Sequence, residues 1–488
     1  MSECVHVNGH ACKKRKAVTT GENGEDMIST LPESIISHIL SLLPAKDALR
    51  TSVLSKDWEY RWTCIYNIDI DETKRFSRKR ARQKSAVNFV DRILLLVQIP
   101  TIKTFRLACM YKYSPCRLRT WISTALMRNV ENMEISYDHE GVILPRCLFN
   151  CRSLTILKLQ IPCTLGVPVE KWFSNLKILL LDRVEIQNEC ASNTLMFDFP
   201  ALERLVLDNC RWFKVNCLEI KAPELSKLNV RHYSGIRKGD ECLIKISGAK
   251  LLKFDLYGHF VENFDLSTSS VFSAVVNCPM HSNNFQLVQK DGLSARLLLK
   301  GCFSLKQLML AGNVVEGIFI SQLGPPLPEF IMLKRLELFN KCKIGALVEM
   351  LRAMPILDTI VFDMLKWDAD DYDEVKSVPS CITYHLRRVQ FRGFAGKKPH
   401  VHMADFLLTN AVGLQNMLGL TRDRSVQGQT ENNFWTKLKS RFKGGNFRDV
   451  DQNPDYQNPA HPIEHCGSRF SNVHKQTFTR GEVSTPIN

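Results

Sequence analysis

Residues 154–181 read LTILKLQIPCTLGVPVEKWFSNLKILLL, and this stretch holds one short pattern twice. An apolar residue is followed after two variable positions by a second, and after one more by a third, giving Leu154-Leu157-Leu159 and then Leu176-Leu179-Leu181. The last two members of each set alternate as one side of a short strand requires, while the residue between them faces the other way. Working outward, the same spacing recurs before this stretch at Ile102-Phe105-Leu107 and Val130-Met133-Ile135. After it come Leu202-Leu205-Leu207, Leu225-Leu228-Val230 and Leu251-Phe254-Leu256, and the series resumes at Leu305-Leu308-Leu310, Leu333-Leu336-Leu338, Leu357-Ile360-Phe362 and Leu386-Val389-Phe391. Where the series is unbroken, successive units start 22 to 29 residues apart. A fixed period of this size stacks one supersecondary unit on the next and buries a continuous core. The expected class is therefore α/β with a parallel sheet, in which Lys158, Leu180, Val206, Met309 and Glu337 face away from the core. Between Leu256 and Leu305 the pattern blurs through STSSVFSAVVNCPMHSNNFQ, where Val271 opens a weak unit and distorted geometry is expected.

Ahead of the repeats, residues 26–70 read DMISTLPESIISHILSLLPAKDALRTSVLSKDWEYRWTCIYNIDI, a compact helical module. Thr30 followed by Glu33 has the spacing of a capping box, and Pro32 in the first turn gives up an amide that lacks a helical partner anyway. Ile35, Ile36, Ile39, Leu40, Leu42 and Leu43 recur at three- and four-residue spacing until Pro44 stops the run. Ser55 is placed to cap a further helix in which Trp58 and Trp62 lie one turn apart, beside Val53 and Leu54. More apolar side chains are present than so small a core can hide, and two tryptophans in so short a unit suggest a binding surface.

The segment LPESIISHILSLLPAKDALRTSVLSKDWEYRW resembles the F-box of plant F-box proteins in its Leu31-Pro32 opening, Ile39-Leu40 pair, Leu43-Pro44 stop, Ser52-Val53-Leu54-Ser55 segment and both tryptophans. The strand units are similar to the irregular leucine-rich repeats of the same proteins. The further Asn or Cys of such repeats, three positions after the third apolar residue, occurs at Cys210 and Asn313. From Val378 to Met417 the chain resembles their FBD region, through Val378-Pro379-Ser380-Cys381, Phe391-Arg392-Gly393-Phe394 and a helix carrying Phe406-Leu407-Leu408, Asn410-Ala411 and Leu414. Beyond Met417 the match stops, short of a final strand and closing segment. The resemblance implies a small helical F-box, then an irregular, horseshoe-like leucine-rich-repeat solenoid with an FBD-like cap. It also implies a substrate-recognition subunit of an SCF-type cullin-RING ubiquitin ligase. Leu31, Pro32, Ile35, Ile39, Leu43, Pro44, Val53, Ser55, Trp58 and Trp62 would meet the adaptor subunit, and through it the cullin and RING subunits, while the repeats would hold a target protein. The alternative is a leucine-rich-repeat scaffold or protein-binding module outside any ligase.

The boundaries follow: a basic arm over 1–25, the F-box over 26–70, a basic linker and helix over 71–100, repeats over 101–376, the FBD-like region over 377–418 and a polar, disordered tail over 419–488. The 488 residues exceed what one core usually holds. No apolar run approaches signal-peptide or bilayer-spanning length. Seventeen cysteines without a CxxC pair fit free thiols in a reducing compartment, mostly as small core residues. The formal net charge of +15 does not by itself imply a nucleic-acid partner. Lys13-Lys14-Arg15-Lys16 has the form of a nuclear import signal, which with the ligase reading points to nucleus and/or cytoplasm. KRFSRKRARQK, from Lys74 to Lys84, lacks the alternating aromatics of a single-strand platform and reads as a charged linker. No phosphate loop, GxGxxG turn, GxSxG elbow or HExxH helix is present, so no catalysis and no cofactor are expected. The acidic run from Trp367 to Glu374 lacks the glycine and terminal glutamate of a calcium loop, and His461, His465 and Cys466 lack a fourth metal ligand.

Overall fold

The computed structural model describes residues 28, 30–73, 80–167, 173–188, 193–213, 215–232, 243–258, 264–267, 270–278, 285–312, 314–320, 326–339, 344–363, 377–392, 398–420 and 446–449. Residues 13–16, 367–374 and 461–466, with Asn313 and most of the tail, lie outside them. The chain divides into two compact units at Tyr137/Asp138.

The first unit opens with helices α1 (Glu33–Ser41) and α2 (Ala45–Arg50), followed by 3-10 turns at Thr51–Val53, Lys56–Trp58 and Arg61–Cys64. Pro44 immediately precedes α2, so the proline that stops one helix starts the next. Helix α1 starts at Glu33, so its N-cap is Pro32, which makes no side-chain cap bond, and the Pro32 carbonyl accepts from the amides of Ile35 and Ile36. Nor does Ser55 cap a helix. It sits extended ahead of a single 3-10 turn and makes no cap bond, because the tryptophans occupy two separate short turns instead of one helix.

Strand β1 (Asn67–Asp71) follows at once, then α3 (Arg80–Leu96), β2 (Thr104–Ala108), α4 (Pro115–Met127) and β3 (Asn132–Ser136). β1, β2 and β3 pair in parallel, with Ile68 opposite Phe105 opposite Met133. The ladder therefore begins at Ile65-Ile68-Ile70, inside the segment read as F-box. Arg80 to Lys84 open α3 and are not linker. Arg106 on the middle strand holds Asp69 at 3.0 Å and reaches Asp71 and Glu134. Arg128, at the end of α4, donates to the carbonyls of Leu94 and Val97 and so satisfies the last turn of α3.

The second unit repeats this logic. Short β4 (Val142–Ile143) pairs with β5 (Ile156–Val167), and β6 (Ile178–Asn188) follows; then β7 (Thr194–Asp198), β8 (Arg204–Asp208), β9 (Arg211–Phe213), β10 (Cys217–Lys221), β11 (Lys227–His232), β12 (Leu243–Ser247), β13 (Lys253–Gly258), β14 (Phe264–Ser267) and β15 (Ser273–Cys278). Helices then alternate with strands: α5 (Phe285–Leu299), β16 (Gln307–Gly312), α6 (Val314–Ile320), β17 (Arg335–Phe339), α7 (Ile344–Leu351), β18 (Thr359–Asp363), β19 (Arg388–Arg392), α8 (Lys398–Asn410), β20 (Asn416–Leu420) and β21 (Asn446–Asp449).

The main parallel ladder runs β5, β6, β8, β11, β13, β15 and then β16 through β21. Its register places each predicted apolar pair against the next, so that Leu157, Leu179, Leu205 and Leu228 form one row. The weak unit at Val271 is a full rung, and the expected distortion there is absent from the strands, since Leu256 pairs with Val276 and Val276 with Leu310. Small Ala274 and the inserted α5 are what blur the sequence pattern. The register shift falls instead between Gln160 and Cys163, at Pro162, which has no amide to offer a ladder. The segment 377–418 adds rungs β19 and β20 to the same sheet.

A second parallel sheet, ordered β7, β10, β12, β14, was not anticipated. Its inward row, Leu195, Phe197, Leu218, Ile220, Ile244 and Ile246, is buried. Leu195, Phe197 and Ile220 belong to that row. Phe197 and Ile220 line an apolar interior with Leu179, Leu205 and Leu207.

Candidate functional site

Helix α1 is apolar on two sides. Ile36 and Leu40, four residues apart, are buried, which turns Ile35, Ile39 and Leu42 outward. Ser37 Oγ donates to the Cys64 carbonyl at 2.6 Å, and the Tyr66 amide donates to Ser41 Oγ at 3.0 Å, so the helix is fixed against the turn that carries the second tryptophan. His38 meets the Tyr66 hydroxyl. With the inner face tied down in this way, the module leaves Ile28, Ile35, Ile39, Leu42, Val53, Leu54 and Tyr60 exposed, Val53 at 84% and Leu42 at 69%. Glu59 beside Tyr60 raises its phenol above the ordinary value.

The tryptophans do the opposite of what the sequence suggested. Trp58 is 7% exposed and Trp62 2%. Trp62 Nε1 donates to the Glu59 carbonyl at 3.0 Å, and the Arg61 guanidinium lies 5.1 Å above the Trp58 ring. Both indoles belong to the core of the module, and Trp62 is among the largest fully buried side chains in the chain. Of the residues read as adaptor contacts, Pro32, Ile35, Ile39, Pro44, Val53 and Ser55 are exposed, Leu31 and Leu43 are half-buried, and the two tryptophans are withdrawn. Leu42, Leu54, Ile28 and Tyr60 join the exposed set. Periodicity finds a two-sided apolar helix but does not say which side faces in.

The sheet face of the second unit carries a different surface. Leu180, Val206, Asn229, Asp255, Val275, Met309 and Glu337 align across consecutive rungs, and Lys158 joins the row at its start. Val206 is buried, which removes it as a contact. Beside this row Arg231 lies 3.5 Å from Asp208 and 5.3 Å above the Tyr257 ring. Burial and the neighbouring Asp182 push the Asp208 carboxyl up to about 6 against the pull of Arg231, and burial likewise raises Asp182 and Asp255. Cys210 Sγ donates to the Leu181 carbonyl at 3.4 Å, linking one rung to the preceding one, and burial raises its thiol. A cleft of about 860 Å³ opens beside Pro162. Its charged lining is Arg183 and Arg211 against Glu140 and Glu185, which favours no ligand charge.

Among the described residues, no group of three His, Cys, Asp or Glu side chains could hold a metal ion, and no helix is long and apolar enough to cross a membrane.

A helical module with an apolar exterior, joined to a parallel repeat sheet, defines a modular protein-interaction protein. Residues 28–64 match the F-box domain family, and residues 97–434 match the family described as At1g61320/AtMIF1, LRR domain. The chain belongs to the F-box/LRR-repeat family. It is similar to an FBD-associated F-box protein of Arabidopsis thaliana, 28% identical over 403 residues that cover 80% of this chain and 91% of the relative. An F-box/FBD/LRR-repeat protein of the same plant is 26% identical over 411 residues, covering 81% and 88%, and an F-box/LRR-repeat protein is 28% identical over 353 residues, covering 70% and 92%.

Proposed function

We propose that this F-box protein is the substrate-recognition subunit of an SCF-type cullin-RING ubiquitin ligase. The observation that carries the reading is the outward apolar set of residues 28–64, since a folded module that small has no internal reason to expose Ile35, Ile39, Leu42, Val53 and Leu54 together. These side chains would bury against the adaptor, and the repeats would hold the target. The chain itself would make and break no bond; its contribution is proximity, which raises the effective concentration of a target lysine at the ubiquitin-charged enzyme.

The test is co-purification with the SCF adaptor. Ile39→Asp and Val53→Asp place charges on exposed positions, so the fold survives while a desolvated interface does not. Expected is stoichiometric binding by the native chain and at least a tenfold loss in the double variant, on the order of 1.4 kcal/mol or more. Trp58→Ala is the wrong probe, because it removes core. The burial of Trp58 and Trp62 favours a second reading, a leucine-rich-repeat scaffold that recruits no ligase. Absence of adaptor binding by well-folded native chain would select it.

A further inference from the structure

Several rungs of the second unit are entered through a tight turn with the same construction. A buried residue five positions before the strand offers its carbonyl to the amide of the core residue three positions on: Phe173 to Leu176, Phe199 to Leu202, Ala222 to Leu225, Phe330 to Leu333, Met354 to Leu357 and Ala411 to Leu414. The two residues between them form the turn tip and are exposed or half-buried, outside the core row. In the early rungs these tips are Arg152-Ser153, Ser174-Asn175, Pro200-Ala201, Pro223-Glu224 and Ala249-Lys250.

From β16 onward the same positions change character. The tip pairs become Phe303-Ser304, Ile331-Met332, Pro355-Ile356, Tyr384-His385 in a π turn, and Val412-Gly413; each carries an apolar or aromatic residue, with Ile356 half-buried and Tyr384 and Val412 exposed at 74% and 83%. The early rungs serve as an internal control for the turns into β17, β18 and β20: turns of the same construction close there with serine, asparagine or proline, so folding does not require apolar tips. The tips are neighbours, since a Cβ placed on Gly413 would stand 3.4 Å from the Tyr384 carbonyl. One position ahead of their strands, Lys306, Lys334 and Arg387 line the apolar row on rungs β16, β17 and β19. Lys334 and Arg387 make no ion pair among the described residues, whereas Asp358, at the intervening position, is held by Arg388 at 3.3 Å.

We propose that the turn tips from Phe303 to Val412 form a docking strip for an extended segment of a partner protein in which apolar side chains are interspersed with carboxylates. Five rungs at about 4.8 Å span roughly 19 Å, the length of about six extended residues. The apolar tips would bury the partner's apolar side chains, and the cationic row would pair with its carboxylates and set its direction. The strip deepens the receptor reading and rests on it for its use. Its test involves no adaptor, so loss of one interaction cannot imitate loss of the other.

The probe is a fluorescent eight-residue peptide alternating Leu and Glu, titrated with the full chain and read by anisotropy. Two comparison peptides carry Lys for Glu or Ser for Leu. The triple variant Ile331→Ser, Tyr384→Ser, Val412→Ser gives late tips the chemistry of early ones; Asn175→Ser with Ala201→Ser is the control at early tips. Expected is binding of the Leu-Glu peptide, at least tenfold weaker in the triple variant and unchanged in the control, with both comparison peptides weaker. Lys334→Glu with Arg387→Glu should weaken the Leu-Glu peptide and strengthen the Leu-Lys one, and this reversal decides alone if the triple variant fails to fold. The proposal is overturned by no binding to native chain, by unchanged binding in the triple variant, or by equal affinity for the Leu-Lys peptide. Self-association of the chain abolished by the triple variant, without peptide binding, would assign the strip to a second copy and also overturn it.

Discussion

Trp62 and Val53 lie nine positions apart in one module and have opposite fates, the indole enclosed and the isopropyl group in solvent. Trp62→Ala is expected to cost about 3–5 kcal/mol, as large-to-small core substitutions do, and to lower the denaturant midpoint. Val53→Ser should change stability by no more than about 0.5 kcal/mol. Equilibrium denaturation of the two variants checks the assignment of inside and outside, and equal effects would reverse it. Asp291, buried on α5, provides a titration at the same scale. Burial pushes its carboxyl up to about 6, from an ordinary value of 3.8. The folded state therefore holds the proton more tightly than the unfolded chain does, and this contribution to stability is full below pH 3.8 and lost as pH rises through about 6. Asp208 moves in the same direction. Thermal melts of Asp291→Asn should show a shallower fall in melting temperature between these limits than the native chain; an unchanged slope would rule the residue out as a contributor.

The strands were the most legible elements, because a core row that repeats every rung leaves leucine at fixed offsets. Where a rung departs from leucine, the sequence hides it. Ile65-Ile68-Ile70 runs straight out of the tryptophan turns, Val271-Ala274-Val276 is built from small residues, and Leu414-Met417-Gly419 ends on a glycine. The second sheet escaped for another reason. Leu195/Phe197, Leu218/Ile220 and Ile244/Ile246 alternate with period two, but each pair lies between two longer leucine units and reads as their connection. The docking face was legible as apolar excess only, since both sides of α1 carry isoleucine and leucine. Helix packing depends on a pair with no periodic signature: a Cβ on Gly292 of α5 would stand 2.0 Å from the Gly317 backbone of α6. Gly292→Ala normally favours a helix by up to about 1 kcal/mol, but here it should destabilise, by about 2 kcal/mol, because the backbones must separate. A chemical melt that shows stabilisation would mean that the helices do not approach so closely.

A parallel ladder in which each rung bonds only to its neighbours unfolds as a nearest-neighbour array more than as one closed core. Leu338→Ala, on the buried row of β17, is expected to lower hydrogen-exchange protection most at β16, β17 and β18, and to leave β6 near its native level. Uniform loss across the sheet would instead indicate a single cooperative unit. The exchange of outer layers along the second unit has a mechanical result. Where β7, β10, β12 and β14 back the main sheet, both layers repeat at about 4.8 Å, and each outer strand keeps step with the inner ones. From α5 onward the outer elements are helices, which need about 8–10 Å from axis to axis, so inner and outer layers fall out of step. The early rungs thus behave as a laminate whose plies share one pitch and resist bending. In the later rungs the outer layer is wider than the inner one, so the mismatch is taken up by curvature while the strand pairs keep their pitch.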